Sequence, residues 1–168
     1  MTLAVRRLRP EDPELYREIR LEALRLHPEA FGASFEEEAA RPLGFFEQRL
    51  TANVIFGGYV GDALMGTAGF MPETSLKRAH KAHLWGMYVR RAARGTGLSR
   101  LLVNAVVDHA EHRAEPRPEL VQLSVIADNL GAQRLYAAAG FTPYGLEPHA
   151  LKVDGRYLDD VLMVKMLV

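Results

Sequence analysis

The sequence predicts an α/β fold with a mixed central sheet. Three observations predict it. Periodic segments follow one another in the order β-α-α-β-β-β-α-β-α-β-β, which interleaves strands and helices along one chain. A strand ending at Val89 runs into a basic turn holding Gly95 and Gly97, and Leu98 then opens a helix. The 168 residues include no cysteine, so a single domain of this length rests on a hydrophobic core rather than on cross-links.

Leu3 to Leu8 alternates apolar and charged residues and reads as a short strand. Asp12 and Pro13 suit the N-cap and first position of a helix whose apolar face is Leu15, Ile19, Ala23 and Leu26. Phe31 to Phe35 is a loop with two aromatics, and the acidic run Glu36-Glu37-Glu38 after it suits a solvated helix start. Leu43 to Leu50 gives a second short helix. Val54 to Val60 and Ala63 to Met71 are strands joined by a hairpin turn at Gly61-Asp62. His80 to Val89 is a longer strand, and simple alternation puts His83, Trp85, Met87 and Val89 on one face. Gly86 within it marks a bulge or a close approach to the backbone.

Leu98, Leu101, Leu102, Ala105, Val106 and His109 form the apolar stripe of the next helix, which makes His109 a core or interface histidine. Leu120 to Ile126 is a strand. Asp128-Asn129 caps a helix that runs through Ala139, and Gly140 punctuates its end. Phe141 to Leu146 and Arg156 to Val168 are the last strands. The apolar terminal strand either fills its own core or pairs with a second copy in a homodimer.

A formal net charge of zero gives no overall pull toward nucleic acid or an anionic membrane. The lack of cysteine excludes disulfides, thiolate zinc sites and a cysteine nucleophile. His80, His83, His109 and His112 contain no His-Glu-x-x-His pairing, so no metal is expected. No stretch approaches the roughly 20 apolar residues of a membrane helix, and the N-terminus lacks a signal-peptide pattern. The expectation is a soluble, compact, cytoplasmic domain.

The turn from Val89 to Ser99 suits an anion. A helix start leaves N–H groups without partners, glycines let that backbone approach a ligand closely, and Arg90, Arg91, Arg94 and Arg100 crowd the same stretch. Read alone, it is equally a helix-capping turn with solvated arginines. The stretch Arg94-Gly95-Thr96-Gly97-Leu98-Ser99 resembles the Gln/Arg-x-x-Gly-x-Gly/Ala signature of the GNAT (GCN5-related) N-acetyltransferases, with Ser99 in place of the last Gly or Ala. A second element of that family follows in order, from Asn129 through Tyr136 to Gly140-Phe141.

The resemblance implies a GNAT fold, an α/β architecture with a mixed, mostly antiparallel central sheet flanked by helices, and acetyl-CoA as acyl donor to a primary amine of a small molecule or a peptide. It places the phosphates on Arg94 to Ser99 and the pantetheine arm along Met87, Tyr88 and Val89, with a backbone N–H near Met87 polarising the thioester. Tyr136 matches the tyrosine that protonates the departing thiolate, although Ala132, Leu135, Tyr136 and Ala139 also make an ordinary buried stripe. Asn129 matches a cofactor-contacting asparagine and equally suits an N-cap. His83 precedes Met87 where the histone acetyltransferase branch carries a glutamate base; a structural strand histidine beside Trp85 fits as well. Phe35 and Glu36 are the candidates for the acceptor side, as an apolar wall and a carboxylate for an ammonium group. The alternative is an acyl-CoA-binding regulatory module without the chemistry.

Overall fold

Alternating apolar residues assemble seven strands into one sheet, in a computed structural model that describes residues 1–168. The strands are β1 (Leu3–Arg7), β2 (Val54–Val60), β3 (Ala63–Pro72), β4 (Lys81–Val89), β5 (Leu120–Ile126), β6 (Thr142–Val153) and β7 (Arg156–Met166). The helices are α1 (Pro13–Leu26), α2 (Phe35–Ala39), α3 (Leu43–Ala52), α4 (Leu98–His112) and α5 (Leu130–Ala138). Pro28–Ala30 and Arg91–Ala93 add single 3₁₀ turns. Spatial order is β1-β2-β3-β4-β5-β7-β6, antiparallel throughout except for the parallel pair β4–β5. This is the mixed, mostly antiparallel sheet that the family resemblance implies.

Each face of the sheet carries its own core. Leu98, Leu102 and Val106 of α4 pack with Leu84, Val89, Val121, Leu123, Tyr136 and Phe141. On the other face Tyr16, Ile19 and Ala23 of α1 and Phe46 and Leu50 of α3 pack with Leu8, Ile55, Tyr59, Leu64 and Tyr88. Burying apolar side chains on both faces is what holds the sheet between the helices.

Several local expectations are corrected. The β4 alternation fails after Trp85, because Trp85 packs with the α1–α3 core whereas Met87 and Val89 pack with the α4 core. The reason is a bulge: Gly69 pairs with Trp85 and Thr67 with Tyr88, so Gly86 and Met87 oppose one residue of β3 and the phase reverses. Gly86 has φ +62°, and its carbonyl accepts from Thr67 Oγ1 at 3.1 Å.

On α4, Leu101 is exposed and Val103 takes its buried place. Asp12 does not cap α1 with its side chain; its Oδ2 instead accepts from Arg9 N–H and Arg6. The β6 strand continues to Val153 because β7 pairs with it down to Arg156. From Asp160 to Val164, β7 lies between β5 and β6 and offers no free edge to a second copy. His109 is partly buried at the edges of Phe56 and Phe70, as expected of a core histidine, and burial holds its pKa below the ordinary value.

No helix is long and apolar enough to cross a membrane, and no group of three or more His, Asp or Glu could hold a metal ion.

Candidate functional site

Parallel pairing of β4 with β5 covers only Lys81–His83 against Leu120–Gln122. Beyond that point the strands part. N–H and C=O groups of Leu84–Val89 that face away from β3 then have no strand opposite them. The gap is a cleft of about 620 Å³, lined on one side by Leu84 to Val89 and on the other by Ser124 to Ile126 with Asn129, Ala132, Leu135 and Tyr136 of the α5 region. Its mouth is Arg94, Gly95 and Ser99, and Phe31 and His27 stand at the rim toward α1.

The turn at the mouth is built to leave donors free. Gly95 and Gly97 take φ +76° and +95°, which β-carbon-bearing residues adopt at a cost. Thr96 Oγ1 donates to Ala93 O at 2.6 Å and accepts from Leu98 N–H, while the Leu98 side chain is fully buried beneath. Thr96, Gly97 and Leu98 therefore shape the turn and do not line the cleft. N–H groups of Gly95, Thr96, Gly97, Ser99 and Arg100 donate to no protein group. Five free N–H groups at a helix start, with its positive dipole end, make a cradle for a phosphate or pyrophosphate.

The four arginines do different jobs. Arg90 turns away from the cradle: its Nε donates to Glu22 Oε2 at 2.9 Å, Nη1 to Leu64 O at 2.8 Å and Nη2 to Glu18. Tyr88 OH also donates to Glu22, and burial followed by that carboxylate pushes the phenol up to about 12. Arg94 donates from Nε to Val89 O and from Nη2 to His27 Nε2 at 3.1 Å, so it is aimed along the cleft mouth. Arg91 and Arg100 are exposed.

Tyr136 is 6 % exposed and lines the inner end of the cleft. Its hydroxyl has no hydrogen-bond partner in the chain but is not sealed from solvent, so it opens into the cleft. Burial pushes its pKa well up from the ordinary value of 10, and the group stays protonated. Asn129 caps α5, its Oδ1 accepting from Ala132 N–H at 3.1 Å, and also lines the cleft.

His83 does not line the cleft; its Nε2 donates to Glu73 Oε1 at 2.9 Å. Phe35 and Glu36 line a separate hollow of about 370 Å³ between the Pro28–Ser34 segment and the β6–β7 turn. Glu38, in the run read as solvated, is buried: Arg20 and Arg49 both bind its carboxylate. Burial alone would raise that carboxyl, but the arginine hydrogen bonds outweigh it and hold the pKa below the ordinary value. Sequence reasoning missed His27, Glu73 and this trio, whose members meet only through tertiary packing.

An opened strand pair with a donor-lined turn at its mouth defines an α/β protein whose cleft along β4 suits an anionic ligand. A model of the acetyltransferase (GNAT) family matches residues 14–141, and the chain belongs to that family. It is similar to a GNAT-family acetyltransferase from Streptococcus pneumoniae, at 19% identity over 98% of this chain and 99% of that one, with TM-score 0.84. It is also similar to yncA from Salmonella typhimurium, solved with its cofactor acetyl-CoA, at 22% identity over 100% and 95% of the two chains and TM-score 0.81. A ribosomal-protein-alanine N-acetyltransferase from Brucella melitensis matches at 21% identity over 98% and 99%, with TM-score 0.77. No curated protein matches the sequence.

Proposed function

We propose that this chain is an N-acetyltransferase that moves the acetyl group of acetyl-CoA to a primary amine of a small molecule, peptide or protein. The observation that carries the reading is the set of five free N–H groups at the mouth of a cleft that ends at an unpartnered, protonated tyrosine. Gly95 to Arg100 fit the pyrophosphate, with Arg94 supplying charge, and Asn129 and Ser99 line the path inward. The departure at Ser99 leaves its N–H free, so the phosphate cradle keeps that donor. The donor supplies an acetyl group already activated as a thioester.

The residues then divide the work. Met87, just past the bulge, offers strand N–H and C=O groups to the cleft, and an N–H there polarises the thioester carbonyl. As the amine nitrogen bonds to the carbonyl carbon and the C–S bond breaks, Tyr136 Oη gives its proton to the departing sulfur. Burial disfavours phenolate and thiolate alike, so the raised phenol pKa is offset by a raised proton affinity of the sulfur beside it. His83 receives the amine proton. Glu73 orients the imidazole; His83 stands four strand residues before Met87, roughly 13 Å along an extended strand, so the proton reaches it through intervening water.

The test is thermal melting with acetyl-CoA and with ATP, followed by thiol release on an amine panel. At about 100 times its Kd, acetyl-CoA adds roughly 2.7 kcal/mol of stability, and ATP adds none of comparable size. A shift without thiol release from any amine identifies a binding module that lacks the chemistry. No shift in cofactor-free protein overturns both readings.

A further inference from the structure

The trio Arg20, Glu38 and Arg49 carries an inference about the acceptor, resting on the acetyltransferase reading above. Glu38 accepts from Arg20 Nε and Nη2, both at 3.0 Å, and from Arg49 Nη1 and Nη2 at 3.2 and 3.1 Å. One carboxylate thus serves two guanidiniums, and neither arginine makes a salt bridge to any other acid. One positive charge stays uncompensated in a site where Arg20 is 7 % exposed. An unbalanced buried charge is expensive, and fold stability alone gives no reason to keep it.

The spare donor has an address. Arg20 Nη1 has no hydrogen-bond partner in the chain and is not sealed from solvent. It lies 3.8 Å from where a Cβ on Gly86 would stand. Arg20 does not itself line the cleft; it lines an adjoining hollow of about 10 Å³, room for a single oxygen atom, which shares Gly86 and Trp85 with the cleft wall. The guanidinium carbon sits 5.3 Å from the ring centres of both Phe31 and Trp85, which also line the cleft and fix its orientation. A fixed, planar, positively charged donor suits a carboxylate and repels a second ammonium.

We propose that the amine acceptor is an amino acid: its carboxylate docks on Arg20 Nη1 beside Gly86, and its amine meets the acetyl group at the bulge. Polyamines and simple alkylamines are then poor acceptors.

Trp85 is the only tryptophan in the chain and touches both arginines, so it reports on the site without any turnover. The experiment titrates its fluorescence, with coenzyme A present and absent, using free leucine, phenylalanine and methionine, their amides and their decarboxylated amines. The same panel is then assayed for thiol release from acetyl-CoA. The expected result is a saturable response to at least one free acid, about tenfold weaker for its amide and its decarboxylated amine, as loss of a charged hydrogen bond implies. Arg20→Lys, which keeps the charge and loses the planar fork, narrows that preference in a protein whose melting confirms it folded. Amides or decarboxylated amines that bind or react as well as the acids overturn the proposal, and so does the lack of any response to all three acids. Failure of acetyl-CoA itself to bind overturns the acetyltransferase reading instead, and leaves the carboxylate titration to stand or fall separately.

Discussion

Tyr136 donates to no group in the chain, so its oxygen adds almost nothing to the fold that phenylalanine would lose. Tyr136→Phe should change stability by no more than about 0.5 kcal/mol and leave the acetyl-CoA melting shift intact. Its kcat should fall by about 100-fold or more. Thiol-release kinetics check this, and an unchanged kcat removes the tyrosine from the chemistry. Gly86→Ala makes a different demand. Nothing stands closer to the new methyl than Arg20 Nη1 at 3.8 Å, so the strain is in the backbone at φ +62°, about 1–2 kcal/mol. If that strain relaxes the bulge, kcat/KM drops further than the loss of stability explains; urea melts beside kinetics separate the two. At this scale Tyr136, Asn129 and the glycine turn were legible because a short motif fixes their spacing. Arg20 was not: one arginine on an amphipathic helix looks solvated until Glu38, Arg49 and Trp85 are brought against it.

Short α2 exists because Ser34 and Glu37 close a capping box, each side chain binding the other's backbone N–H, and it delivers Glu38 between α1 and α3. Glu38→Gln leaves two arginines buried with a neutral partner and should cost about 3–5 kcal/mol. The pH dependence has a definite sign. Folding lowers the Glu38 pKa below 4.5, so its contribution is complete above that pH and is lost as pH falls through the lowered value. The stability gap between wild type and Glu38→Gln, read from urea melts, should therefore be wide at neutral pH and narrow in acid. A gap that stays constant with pH contradicts the buried ion pair.

Element order was legible from hydrophobic period, caps and turns except for the five-residue α2, too short to show a period, and the periodicity misled at two further places. On β4 one bulged residue reverses every later side chain, which no alternation count detects without knowing the partner strand. On β6 the residues are mostly exposed, so there is little apolar alternation to count, and pairing with β7 is what extends the strand to Val153.

Across the molecule the sheet is the frame, and its one parallel junction is where it opens. The α4 core and the α1–α3 core lie on opposite faces, and β4 contributes to both: Leu84 and Val89 to one, Tyr88 to the other. A ligand lying between β4 and β5 joins elements that the protein itself leaves apart beyond His83 and Gln122. The long β6–β7 hairpin is held by its own pairing and by β5, remote from that junction for most of its length. Hydrogen exchange should read this division directly. Saturating acetyl-CoA should slow exchange at Leu84–Val89, at Gly95–Arg100 and at the start of α5, since local openings there must first release the ligand. Residues near the Asp154-Gly155 turn should exchange as before, because no cleft wall includes them. Slowing spread evenly over both regions would mean that the ligand acts on global stability alone, and that the cleft between β4 and β5 is not where it lies.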